Sequence, residues 1–316
     1  RVVFCIRIVG GAGNERVEEM KILLMDIDSK IPNLALKKIE KYHIDRGDEV
    51  IWNNELMQYV SDKIYVSCIF DWNKKEAEEW KNRANNKLIG GSGYSCDIVL
   101  PREIEEVKPR INLGFTTRGC IRKCQFCIVP QKEGHIRVEG DLLDLWDGKT
   151  KDVMILDNNI LALPEHFRLI CRQARENKIR LDFNQGLDHR LCTQDIIDDM
   201  KSISHKEYRF AFDHPSYFPT VEKTLNLLWR NKINRCLWYV LVGFNTTFQE
   251  DLDRLNYLKK NNQNAFVQRY KTVMLNPKYI ALARWVNQHH IFQGMTWEQF
   301  LNGLTPSNKR RIDDLS

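Results

Sequence analysis

Residues 21–27 form a near-continuous apolar run that opens directly after Met20, and similar runs stand at 48–52, 63–70 and 87–90. Between them the polar-faced stretches 33–46 and 74–85 read as helices. Strands alternating with helices predict a parallel, doubly wound sheet, here a small Rossmann-like domain over 20–100 that ends on Gly90-Gly91-Ser92-Gly93. The charged, proline-bearing stretch 101–110 predicts a linker. Six strand-then-helix units come after it, with strands expected at 111–117, 152–157, 180–184, 208–213, 237–243 and 265–272. The clearest helices are expected at 164–177, 221–231, 248–260 and 277–288. The fold expected is therefore α/β: a partial (βα)6 TIM-like barrel with C-terminal helices over 111–316, preceded by the smaller doubly wound domain. No period of 20 to 50 residues repeats, which excludes a solenoid.

Residues 1–19 differ in pattern from the rest of the chain and are expected to be a non-native or disordered leader; the glycines at 10, 11 and 13 lack the preceding strand that a phosphate loop needs. No apolar stretch is long enough to span a bilayer, and 1–19 lacks the apolar centre of a secretory signal. The chain reads as cytoplasmic, with no membrane partner.

In a parallel barrel the ligand sits where the strands end, because the loops there converge over the mouth. Those positions are lopsidedly polar: Asp157-Asn158-Asn159, then 184–190 (Asn-Gln-Gly-Leu-Asp-His-Arg), Asp213-His214, Gly243-Phe244-Asn245, and Gln268 to Tyr270. After the first strand comes Gly119-Cys120-Ile121-Arg122-Lys123-Cys124-Gln125-Phe126-Cys127, a Cys-x3-Cys-x2-Cys loop. Three thiolates on one loop can hold a four-iron cluster and leave one iron open to an outside ligand. The competing reading is zinc, with His135 as fourth ligand. Structural zinc sites pair Cys-x2-Cys with a second pair a dozen or more residues away, and the chain has no such pair.

The cysteine run, with aromatic Phe126 before its third cysteine, resembles the signature of the radical S-adenosylmethionine (SAM) superfamily. The N-terminal layout is closest to the branch with a cobalamin-binding-like Rossmann domain. The resemblance implies that Cys120, Cys124 and Cys127 ligate a 4Fe-4S cluster and that SAM chelates the open iron. An electron from a donor such as flavodoxin or ferredoxin then cleaves SAM to a 5'-deoxyadenosyl radical, which abstracts hydrogen from a substrate. It further implies Phe126 against the adenine, Asp157 to Asn159 at the SAM amino group, Arg190 at its carboxylate, Asn184 and Gln185 near the ribose, and Gly243 where backbone approaches the adenine. In that branch cobalamin is bound through Asp-x-His-x-x-Gly; 26–32 here is Asp-Ile-Asp-Ser-Lys-Ile-Pro, so no cobalt ligand is expected and the cofactor is doubtful.

Cobalamin-dependent methyl transfer stays an alternative within the superfamily, and a nonenzymatic zinc or iron-sulfur module binding nucleic acid an alternative outside it. Relatives that methylthiolate tRNA carry three further N-terminal cysteines and an RNA-binding module, so that reaction is not the one expected. Glu133-Gly134 reads equally as loop closure and as a functional pair. Of the histidines only His214, with Asp213, is placed at the mouth; Trp146, Tyr217, Tyr239 and Tyr270 are candidates for substrate contact. Formal charge is −1 over residues 1–100 and +7 over the rest. That balance suits an anionic substrate or nucleic acid, with Lys309-Arg310-Arg311 as a phosphate contact.

Overall fold

The computed structural model describes residues 19–83 and 86–313, without the side chains of 308, 309, 311 and 313. The expected leader up to residue 18, its glycines and Cys5 lie outside the described residues, as do the side chains of Lys309 and Arg311. The chain divides into two compact units, one ending at Val107 and one beginning at Lys108. Both are α/β with parallel sheets.

In the first unit β1 (Lys21–Asp26), α1 (Leu34–Ile44), β2 (Glu49–Trp52), β3 (Lys63–Ser67), α2 (Lys74–Glu79) and β4 (Lys87–Gly90) build a parallel sheet ordered β2-β1-β3-β4. The unbroken apolar run of β1 is what a central strand covered on both faces requires. Ile22 and Leu24 pack with Leu36 and Ile39 of α1, whereas Leu23 and Met25 pack with Ile64, Val66 and Trp80 on the other face. The strand expected over 63–70 stops at Ser67 because the Asp28 carboxylate captures the next amides, accepting from Ile69 N–H at 2.7 Å and Phe70 N–H at 3.0 Å. Residues 102–105, expected in the linker, form a short helix, α3 (Arg102–Glu105). Its Ile104 is 2% exposed in the α1 face of the core, and Lys38 bonds the Glu105 carboxylate at 3.0 Å.

In the second unit the expected strand 111–117 is interrupted: β5 (Leu113–Gly114) is parallel, whereas β6 (Thr117–Arg118) turns to pair antiparallel with β7 (Arg137–Val138) across α4 (Val129–Lys132). Then come β8 (Asp152–Ile155), α5 (Pro164–Glu176), β9 (Arg180–Phe183), α6 (Gln194–Lys201), β10 (Ser204–His205), β11 (Arg209–Ala211), α7 (Phe218–Arg230), β12 (Leu237–Val242), α8 (Phe248–Lys260), β13 (Asn264–Arg269) and α9 (Pro277–Val286). The short helices α10 (His289–Gly294), α11 (Trp297–Asn302) and α12 (Pro306–Asp313) succeed them. The parallel strands make two sheets, β10-β9-β8-β5 and β11-β12-β13, joined by a parallel bridge between Leu187 and Phe210. Alternation along β12 separates the two sides of its sheet: Trp238, Val240 and Val242 are fully buried in the core with the helices, whereas Leu237 and Tyr239 face a cavity. Among the described residues no helix is long and apolar enough to cross a membrane.

Candidate functional site

The cysteine loop is held at both ends by acidic side chains that accept backbone hydrogens. Asp157, just beyond β8, accepts from Thr116 N–H at 2.6 Å, Thr117 N–H at 3.0 Å and the Thr116 hydroxyl at 2.5 Å. These bonds aim the chain from β5 into the loop. From the other end Glu133 reaches back to the loop's start, accepting from Gly119 N–H at 3.0 Å and the Arg118 guanidinium at 3.0 Å, and also from Asn158 Nδ2 at 2.7 Å. Gly119 is a required glycine: its φ is +81°, and a Cβ would lie 2.4 Å from the His135 carbonyl. Cys120 N–H donates to Gly134 O at 3.2 Å and Cys127 N–H to Cys124 O at 3.0 Å, which folds the loop into consecutive turns before α4.

All three cysteines line one cavity of about 570 Å³, together with Phe126, Asn158, Asn159, Asn184, Gln185, Arg190 and Asp213. Its walls continue along the inner faces of the strands to Arg209, Tyr239, Phe266 and Gln268. Phe126 packs edge-on against Phe244 with ring centroids 5.3 Å apart. Cys120 Sγ accepts from the backbone N–H of Arg122 at 3.3 Å and from Asn159 Nδ2 at 3.4 Å. Burial pushes the Cys124 and Cys127 thiols above the ordinary cysteine range, and for Cys124 the Arg190 guanidinium opposes it.

Asp188, a strand-end residue to which the sequence assigns no role, is the hub of this wall. Its carboxylate accepts from Arg122 Nε at 3.0 Å, Arg190 Nε at 2.6 Å, Arg190 Nη2 at 3.1 Å and Asn159 Nδ2 at 3.2 Å. Although burial pulls the other way, the two guanidiniums hold its carboxyl below the usual range. One carboxylate against two guanidiniums leaves the wall locally positive. The only hint of this in the sequence is that arginines stand at 122 and 190 beside an acid at a strand end.

Several expected site residues have other work. Asp157 is 3% exposed and does not line the cavity; its acceptors are spent on Thr116 and Thr117. Gly243 does not line it either. Its N–H donates to Asp251 at 2.9 Å, and with φ at +74° its missing Cβ makes room for Val273. His214 caps the turn before α7, accepting from Ser216 N–H at 3.2 Å. Glu133 is 10% exposed at its side chain and fully engaged, not solvated. Trp146 donates to Thr150 O at 2.6 Å and stands outside the cavity, whereas Tyr217 and Tyr239 line it. Tyr270 packs on Phe244 instead, at 4.8 Å between ring centroids.

The donor chemistry bears on each cofactor in turn. Among the described residues no three His, Cys, Asp or Glu side chains are gathered tightly enough to hold a single metal ion as they stand. His135, the fourth zinc ligand considered, is exposed beside its neighbour's carbonyl. Three thiols around one cavity, one of them already accepting two N–H groups, fit the surroundings of cluster thiolates. For cobalamin the first unit offers no cobalt ligand at the expected position. Asp28, in the loop after β1 where the histidine would stand, is committed to Ile69 and Phe70, and a Cβ at Gly91 would meet Cys68 O at 2.2 Å, so Gly91 packs against the backbone that follows β3.

No family model matches the chain. Over 109 residues, 30% of this chain, it is 32% identical to sodium channel protein type 3 subunit alpha of Homo sapiens, covering 5% of that protein. Over 179 residues, 46% of this chain, it is 26% identical to a CDK5RAP1-like protein of Oryza sativa subsp. japonica, covering 27% of it. The chain thus spans only a small part of these relatives, and neither likeness shows a family for it.

Proposed function

We propose that the chain is a radical SAM enzyme whose cluster is held by Cys120, Cys124 and Cys127. The observation that carries the reading is that the three thiols of one short loop and the polar ends of successive parallel strands line a single cavity. On this reading β5, β8, β9, β11, β12 and β13 are the six strands of an open (βα)6 barrel with its site at the strand ends. A single zinc draws its donors to about 2.3 Å from one point, whereas a cubane spreads its cysteines over separate irons, which suits thiols placed around a cavity. When bound, such a cluster supplies the electron that cleaves the SAM sulfonium and so yields the hydrogen-abstracting 5'-deoxyadenosyl radical.

The chain's own residues bind and orient. Asn159 Oδ1 is a buried acceptor without a partner, and on this reading it takes the SAM ammonium. Arg190 spends Nε and Nη2 on Asp188, and its other N–H groups are suited to a carboxylate. Phe126, Asn184 and Gln185 line the same cavity, and on this reading they contact the adenosine. Asp157 and Glu133 hold the loop, and Gly243 sets the turn that brings Phe244 to Phe126.

Anaerobically reconstituted protein is expected to be brown with about four irons per chain. With SAM and a strong reductant it is expected to release 5'-deoxyadenosine, read by mass spectrometry. A colourless zinc protein that docks nucleic acid would replace this reading with a binding module; an intact cluster that leaves SAM uncleaved would overturn it.

A further inference from the structure

The amide of Asn159 is oriented by a neighbour that can only accept. It is 2% exposed, and Nδ2 lies 3.2 Å from Asp188 Oδ2 and 3.4 Å from Cys120 Sγ. A carboxylate has no hydrogen to give, so Asn159 must present its NH2 group to Asp188 and turn Oδ1 away. The same nitrogen then directs its second hydrogen at the sulfur. Asp188 is itself fixed by both guanidiniums, so the amide is not free to rotate. Asn158, the adjacent amide, goes instead to Glu133 and touches no sulfur.

We infer that Asn159, locked by Asp188, is a positioning residue that sets the reduction potential of the site by holding an N–H on Cys120 Sγ. This rests on the iron-sulfur function proposed for the chain. A hydrogen bond to a cluster sulfur stabilises the more negative, reduced state more than the oxidised one, so removing it makes reduction harder.

The test is the midpoint potential of reconstituted protein, followed by electron paramagnetic resonance during a reductive titration, in wild type, Asn159→Leu, Asn159→Ala and Asn158→Ala. Both Asn159 variants are expected to titrate at lower potential than wild type, and Asn158→Ala at the wild-type value. Loss of iron from both Asn159 variants while Asn158→Ala stays loaded makes Asn159 a structural support of the cysteine loop and overturns the assignment. Asn159 variants that titrate with wild type, or an equal fall in Asn158→Ala, overturn it and leave the cluster reading standing. Wild-type protein that takes up no iron overturns the cluster reading itself.

Discussion

Three aspartates of the second unit meet burial with different compensation. Asp188 has two guanidiniums and stays low, whereas burial pushes both Asp157 and Asp213 up to about 6. Asp157 has three donors to support its charge; Asp213 has one backbone N–H, from Leu241 at 3.3 Å. Asp213 is therefore a carboxyl whose ionisation burial opposes, with the Arg254 and Arg190 guanidiniums offsetting only part of the effect. With its folded value raised above the ordinary 3.8, its stabilising effect is complete below about pH 4 and disappears as pH rises through about 6. Asp213→Asn, which removes the charge and keeps the shape, is expected to stabilise the metal-free protein by up to ~3 kcal/mol at about pH 8 and by almost nothing at about pH 4. Urea unfolding at the two pH values checks it, and an equal advantage at both would rule the ionisation out as the cause. At this scale the sequence showed which polar residues gather at strand ends but not how they divide the labour. Asp157 and Asn159 stand two apart on one loop; only the partners across the cavity decide that one braces backbone and the other faces sulfur.

Helix α8 carries, within a single turn, an ion pair with both side chains fully buried. A capping box of Thr247 and Glu250 starts it, and Asp251 and Arg254, both 0% exposed, form an ion pair one turn apart. The Arg254 guanidinium also donates to the carbonyls of Phe212 and Leu241, at the ends of β11 and β12, while Asp251 accepts from Gly243. The pair thus pins the helix to the two strand ends beside the cavity. Removing one member leaves the other charged and buried, so Arg254→Met is expected to cost ~3–5 kcal/mol in urea unfolding, and the double variant Asp251→Asn/Arg254→Met to recover part of that loss. A double variant no better than the single would mean the cost lies in the lost carbonyl contacts. Sequence periodicity located α8 within a residue but makes Arg254 look like any solvent-facing position, since burial of a charge depends on what lies opposite. Long apolar strands such as β1 and β12 were legible for the converse reason. The two-residue strands β6, β7 and β10 are too short to carry a period at all, and α3 is betrayed only by a single apolar residue, Ile104, among charges.

The apolar cores of the whole molecule are separate. Those of the first unit are built from residues between 20 and 104, and the large core of the second from residues 142 to 312. Every residue that lines the cavity lies between Cys120 and Gln268, and Asp157, Glu133 and Asp251, which brace it, belong to the same unit. A unit with its own core and its own site needs no other to specify it. The fragment 108–316 is therefore expected to fold cooperatively and, on the function proposed, to take up the same iron per chain as the chain 1–316. Far-ultraviolet circular dichroism during urea unfolding reads the first expectation, and iron analysis after anaerobic reconstitution reads the second. A fragment that unfolds cooperatively yet holds no iron would make the first unit part of the site's chemistry. One that does not fold would show that the second core depends on the residues before it.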